Sequence, residues 1–168
     1  MQFTVHLFTG LLLGLIIFYF VRKRHLVVIC AFGSVLPDLG DKTFWVLSSS
    51  GWISAGMINL HSFQFLLLSV SIAAAGWIIF RTHAFAVLSA GIALHHLLDR
   101  MWLQPRVWFE TPVWPPSISL PADYPLRVLR SEFGSPRGLL LIIAAAVILL
   151  LLYGSSIRRA IRSARRYF

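Results

Sequence analysis

Apolar runs of similar length recur along the chain, at residues 3–21, 62–80, 84–102 and 138–153, and each approaches the length that crosses a bilayer. A hydrocarbon core about 30 Å thick needs about 20 mostly apolar residues in helical form. Lipid offers the backbone no hydrogen-bond partners, so a helix, which pairs its own N–H and C=O groups, is the natural way across. The four runs therefore predict four transmembrane helices. Composition agrees: 58% of the residues are hydrophobic and 12% charged, a balance too apolar for an ordinary soluble domain. At 168 residues, the chain is expected to form a single membrane-embedded domain, residues 1–168.

Between the first two runs lies a shorter apolar piece, residues 26–36, about half a bilayer long and followed by Pro37. Proline has no N–H to donate and disfavours helical geometry in the residue before it. The segment thus predicts a short broken or re-entrant helix. Residues 43–53, with Trp45 and Trp52, suit the membrane interface. The expected fold class is all-α: a polytopic helical membrane protein with four transmembrane helices plus one short broken helix.

The net charge of +9 does not point to nucleic acid, because the basic residues sit in short clusters beside apolar runs, where they fix orientation. If Arg22, Lys23 and Arg24 are cytoplasmic, alternate crossing puts Arg81, Arg158, Arg159, Arg162, Arg165 and Arg166 on the same side, nine basic residues in all. Lys42, Arg100, Arg106, Arg127, Arg130 and Arg137, six residues, fall opposite. The excess predicts an outside N-terminus and a cytoplasmic C-terminus. It makes residues 103–137, rich in Pro and aromatic side chains, an extracytoplasmic surface loop, and residues 158–168 a basic cytoplasmic tail drawn to anionic lipid headgroups. The first ten residues hold no Lys or Arg, so the first span is expected to be retained rather than cleaved. Cys30 is the sole cysteine, which excludes an intramolecular disulfide and a thiolate cluster and reads as a small core residue.

Against this background the acidic residues stand out. The chain has only six, and Asp38, Asp41 and Asp99 border or enter apolar segments. A carboxylate at a membrane helix centre costs about 2.5–3.5 kcal/mol on insertion scales, so such groups need partners. Counting crossings brings His6, Asp38, Asp41, His61, His95, His96 and Asp99 to the same membrane face, whereas His25 and His83 fall beside the cytoplasmic turns. His95 and Asp99, four apart, project from nearly one side of a helix, and His96 lies three from Asp99. Imidazole and carboxylate without thiolate suit a divalent metal, zinc first, with manganese or iron as alternatives. A buried ion pair or hydrogen bond would explain His95 and Asp99 alone; convergence of five segments favours metal.

The order His6, Leu36-Pro37-Asp38 with Asp41, His61-Ser62 and His95-x-x-x-Asp99, followed by an aromatic and Pro-containing stretch around residues 108–115, resembles the LexA-regulated, membrane-bound metal-dependent hydrolases, the YdjM-like family. That family is distantly similar to zinc-dependent phospholipase C and P1-type nucleases. The resemblance implies an integral protein of the inner cell membrane with a helical, multi-metal phosphoesterase site. The chain departs from the family pattern where Leu39 and Gly40 separate Asp38 from Asp41, where Gly56, Met57 and Leu60 replace a His-Arg and a Thr, and where Trp102 replaces a Thr.

The expected assignment gives His6, Asp38, His61, His95 and Asp99 to metal and leaves Asp41 and His96 for acid–base or supporting roles. Arg100 and Arg106 are candidates for holding an anionic substrate, with anchoring to lipid phosphates as the alternative. A site opening among headgroups points to a lipid or lipid-linked phosphate. The alternative functions are an ion- or proton-coupled transporter, since intramembrane Asp and His also build such pathways, and a non-catalytic membrane scaffold.

Overall fold

A computed structural model describes residues 3–49, 57–109, 113–114, 126–127, 130–131 and 134–164. The described chain is helical apart from one two-residue antiparallel pair. Helices α1 (Phe3–Val21) and α2 (His25–Ser49) form a hairpin. Strand β1 (Met57–Ile58) leads to α3 (Phe63–Phe80) and α4 (Ala84–Leu98), a second hairpin. A 3-10 turn (Met101–Leu103), the short α5 (Pro105–Phe109) and strand β2 (Val113–Trp114) precede the long α6 (Pro136–Ala164). Met57 faces Trp114 and Ile58 faces Val113 across the strand pair.

Among the described residues, three helical stretches are long and apolar enough to cross a membrane: Phe3–Val21, Phe63–Phe80 and Pro136–Ser155. Their apolar side chains remain largely uncovered by protein, as with Phe80 at 67% and Leu151 at 81% exposure, the surface a lipid solvent would cover. The fourth expected span is shorter than predicted. Residues 84–102 yield a 15-residue helix, Ala84–Leu98, about 22 Å long. Asp99 caps it, and Arg100 then takes a left-handed conformation, φ 53° and ψ 42°, that turns the chain into the 3-10 segment.

The expected break at Pro37 does not occur. Helix α2 runs 25 residues with Pro37 inside it, absorbing residues 26–36 and the first part of 43–53. The proline rule is local, and tertiary packing overrides it here. Pro37 removes the N–H that would bond Gly33 O, and Gly33 lies in a turn of α2 that packs closely on α4. A Cβ on Gly33 would run into Leu88 O, and one on Gly91 would run into Cys30 O and lie 2.8 Å from Ser34 N. The two glycines let the α2 and α4 backbones nearly touch, as small residues do between membrane helices. The close approach sets the depth at which α4 presents its last turn to α2.

Helix α2 packs on α1 and α4, α3 packs on α4, and α6 lies along α1. Leu11, Val27, Ala31 and Ala145 form one buried cluster, and Leu26, Cys30 and Val87 another, filling the bundle toward the Arg22–Arg24 turn. Ser69 and Ser89 share a 3.0 Å hydrogen bond between α3 and α4. The polar residues gather at the other end, where α1 begins, α4 ends and α3 begins.

Candidate metal centre

With α2 unbroken, Ser34, Asp38, Asp41 and Lys42 sit at i, i+4, i+7 and i+8, one face of a single helix. Helix α1 is tied to this face by Ser34 Oγ, which lies 2.8 Å from His6 O and 2.7 Å from Ala31 O and shares its one proton between them. His61 arrives on a tight turn. Asn59 Oδ1 accepts from the His61 N–H at 3.0 Å, and the Leu60 N–H donates to Asp41 Oδ1 at 2.8 Å. Ser62 caps α3 by accepting from the Phe65 N–H at 3.2 Å. The last turn of α4 contributes His95, His96 and Asp99.

These side chains meet. Asp99 Oδ2 lies 3.4 Å from His95 Nε2 and 3.5 Å from His61 Nε2, and the two Nε2 atoms are 2.9 Å apart. Asp99 Oδ1 approaches His6 Nε2 to 3.0 Å, but off the axis of a hydrogen bond, and neither atom has a hydrogen-bond partner among the described residues. The His6 ring stacks on His95 with centroids 4.1 Å apart. Asp38 Oδ1 lies 3.9 Å from His61 Nε2, and Lys42 Nζ lies 3.4 Å from Asp38 Oδ2. His6 and His95 are fully buried, and Asp38 is 8% exposed.

The hydrogen bonds on the far sides of the rings decide what the near sides offer. His95 Nδ1 is 2.7 Å from Ser34 O, which can only accept, so Nδ1 carries the proton. His61 Nδ1 is 2.6 Å from Asp41 Oδ2, and the same logic protonates it. In neutral rings both Nε2 lone pairs then face each other and Asp99 Oδ2. Three acceptors aimed at one point require a cation between them, either a proton or a metal. Burial pushes the His61 imidazole down, but hydrogen bonds to Asp41 and Asp99 and the charges of Asp41 and Asp38 outweigh it and bring its pKa up to about 9. A proton therefore takes the position when no metal is there.

The same position fits a metal. Tetrahedral zinc with bonds of about 2.0–2.1 Å holds its ligand atoms about 3.3 Å apart. The separations among His61, His95 and Asp99 are 2.9, 3.4 and 3.5 Å. His6, Asp38 and His95 also bring ligand atoms within 4.8 Å of one another. The two groups share His95, whose Nδ1 is held by Ser34 O, so they are overlapping halves of one centre. Fixing a ligand histidine through its other nitrogen, by a carboxylate or a carbonyl, is the usual support of a metal site.

The remaining predicted residues divide. Both oxygens of Asp41 are occupied, one by Leu60 and one by His61. His96 is 2% exposed, and neither ring nitrogen has a hydrogen-bond partner among the described residues. Arg100 and Arg106 are exposed and, among the described residues, form no ion pair with the cluster. His25 is exposed at the start of α2, and His83 lies against the Trp77 ring at 4.8 Å, both at the opposite helix ends. Sequence reasoning missed Ser34, which acts through its carbonyl, and Lys42. The signal for Lys42 was its helical spacing from Asp38, hidden by the assumed break at Pro37.

Fold and site together define a helical membrane protein with a buried His/Asp centre at one end of its bundle. The family model described as YdjM inner membrane protein matches residues 1–162, and the chain belongs to this family. Comparison with curated proteins and with solved structures gives no match.

Proposed function

We propose that the protein is a membrane-bound metal-dependent hydrolase that cleaves a phosphoester of a lipid or lipid-linked phosphate at the outer face of the inner membrane. The observation that carries this reading is the convergence of His61 Nε2, His95 Nε2 and Asp99 Oδ2 on one position, at mutual separations of 2.9, 3.5 and 3.4 Å. His6, Asp38, His61, His95 and Asp99 would hold the metal, zinc by ligand chemistry, with Asp99 turning one oxygen to each half of the centre. A divalent ion held there would supply a water whose pKa falls from about 15.7 to near 7 and would polarise a phosphoryl oxygen.

The chain's own groups have separate tasks. Asp41 fixes the ring of His61 and, with both oxygens taken, serves as a positioning residue rather than a base. His96 keeps two unused ring nitrogens beside the centre and is the acid–base candidate. The outer-face assignment follows from the nine-to-six excess of basic residues on the opposite side. Exposed Arg100 and Arg106 are suited to headgroup phosphates next to the site. Conduction or transport is disfavoured, because Leu11, Val27 and Ala31, and Leu26, Cys30 and Val87, fill the bundle on the far side of the centre with apolar side chains.

The test is hydrolysis by purified, metal-loaded protein of phospholipids in bilayers against soluble phosphoesters. Lipid cleavage that disappears in Asp99→Asn is the expected result. Cleavage of soluble esters alone would remove the lipid substrate, and no cleavage of either would remove the enzyme.

A further inference from the structure

Lys42 is the described cation that touches the cluster. Its Nζ lies 3.4 Å from Asp38 Oδ2, an oxygen that is buried and has no hydrogen-bond partner among the described residues. The side chain is 35% exposed, so its ammonium sits at the boundary between the buried carboxylates and the outside. It stands on the same face of α2 as Ser34, Asp38 and Asp41, held by a helix that packs on both α1 and α4. Arg100 and Arg106 are exposed without such a contact among the described residues.

We propose that Lys42 binds the phosphoryl group of an anionic ligand at the mouth of this centre, an assignment that rests on the metal-hydrolase reading. Asp38, Asp41 and Asp99 bring three negative charges and Lys42 one positive charge. One divalent ion matches the two charges left over. Asp38 would share its charge with such an ion and loosen its hold on Lys42. An ammonium on a flexible stem with three donors can turn from that carboxylate to a phosphoryl oxygen with little rearrangement. The ligand class is a phosphate monoester or diester, and a lipid headgroup and a free phosphate share the chemistry.

The experiment uses full-length protein loaded with zinc, titrated calorimetrically with inorganic phosphate and, separately, with vesicles containing phosphatidic acid. Lys42→Met should keep its metal and weaken binding of whichever probe the wild type takes up by at least about tenfold, as for a lost hydrogen bond to a charged group. Lys42→Arg should stay within a few-fold of wild type. A response only to vesicles supports a lipid headgroup, and a response to phosphate alone supports a free phosphate. Wild-type affinity in metal-replete Lys42→Met would overturn the Lys42 assignment while leaving the hydrolase reading intact. Wild-type protein that holds metal but binds neither probe would overturn it too. Protein that takes up no metal defeats the hydrolase reading; the Lys42 assignment falls with it if neither probe binds, and stands if binding persists and is still lost in Lys42→Met.

Discussion

The two ends of the bundle are built on opposite principles. Toward the Arg22–Arg24 turn, Leu11, Val27 and Ala31 and the Leu26–Cys30–Val87 group are buried and apolar, and packing alone accounts for them. At the other end, His6, Asp38, His95 and His96 are buried and Asp99 is half-buried, yet several of their polar atoms have no hydrogen-bond partner among the described residues. Each such atom costs about 1–3 kcal/mol. The cost falls at one end only, on the His and Asp side chains whose ligand atoms lie close enough together to hold a metal ion.

The largest effect expected at the polar end is that of His95→Ala, because His95 belongs to both ligand groups. It should abolish stoichiometric metal, read by elemental analysis, while the helical circular dichroism signal persists. Loss of fold together with metal would merge the two regions into one. Leu11→Ala tests the apolar end. Its cavity should lower stability by about 2–5 kcal/mol in detergent denaturation, with metal per folded chain unchanged.

Asp41→Asn alters a residue placed to orient His61 without serving as a ligand itself. Metal affinity should fall about 10–100-fold in competition titrations, as for other supporting carboxylates. A pH effect follows from the same pair. The His61 pKa is raised from 6.5 to about 9 in the metal-free protein. Its protonated ring therefore stabilises the metal-free fold fully below 6.5, and that contribution is lost as pH rises through about 9. Metal must displace this proton, so apparent affinity should climb with pH and level off near 9. A flat profile between pH 7 and pH 9 would remove His61 from the centre. The smallest effect is that of Ser62→Ala, which deletes the α3 cap and should cost about 1 kcal/mol of stability.

Much of this was legible in the sequence, for physical reasons. Run length and hydropathy identify the membrane helices at residues 3–21, 62–80 and 138–153 because lipid imposes a length. Counting crossings brings His6, His61, His95 and Asp99 to one end because antiparallel hairpins leave no other arrangement. The failures are equally instructive. The proline rule is local and predicts a break at Pro37, whereas α2 continues through it and packs closely on α4 at Gly33 and Gly91, a pairing that no local rule contains. The Ser34 carbonyl that orients His95 is a backbone atom, which no residue type announces. The fourth run was read to Trp102 from its apolarity, whereas the left-handed turn at Arg100 ends the helix one residue after the Asp99 cap.

Elemental analysis of the wild-type protein, purified in non-chelating buffer, distinguishes a metal centre at the polar end from a protonated hydrogen-bond network. A metal centre gives at least one divalent ion per chain, zinc foremost, surviving exhaustive dialysis. Protein that is folded and monodisperse but holds no stoichiometric metal, and takes up none on exposure to zinc, manganese or iron, would contradict it.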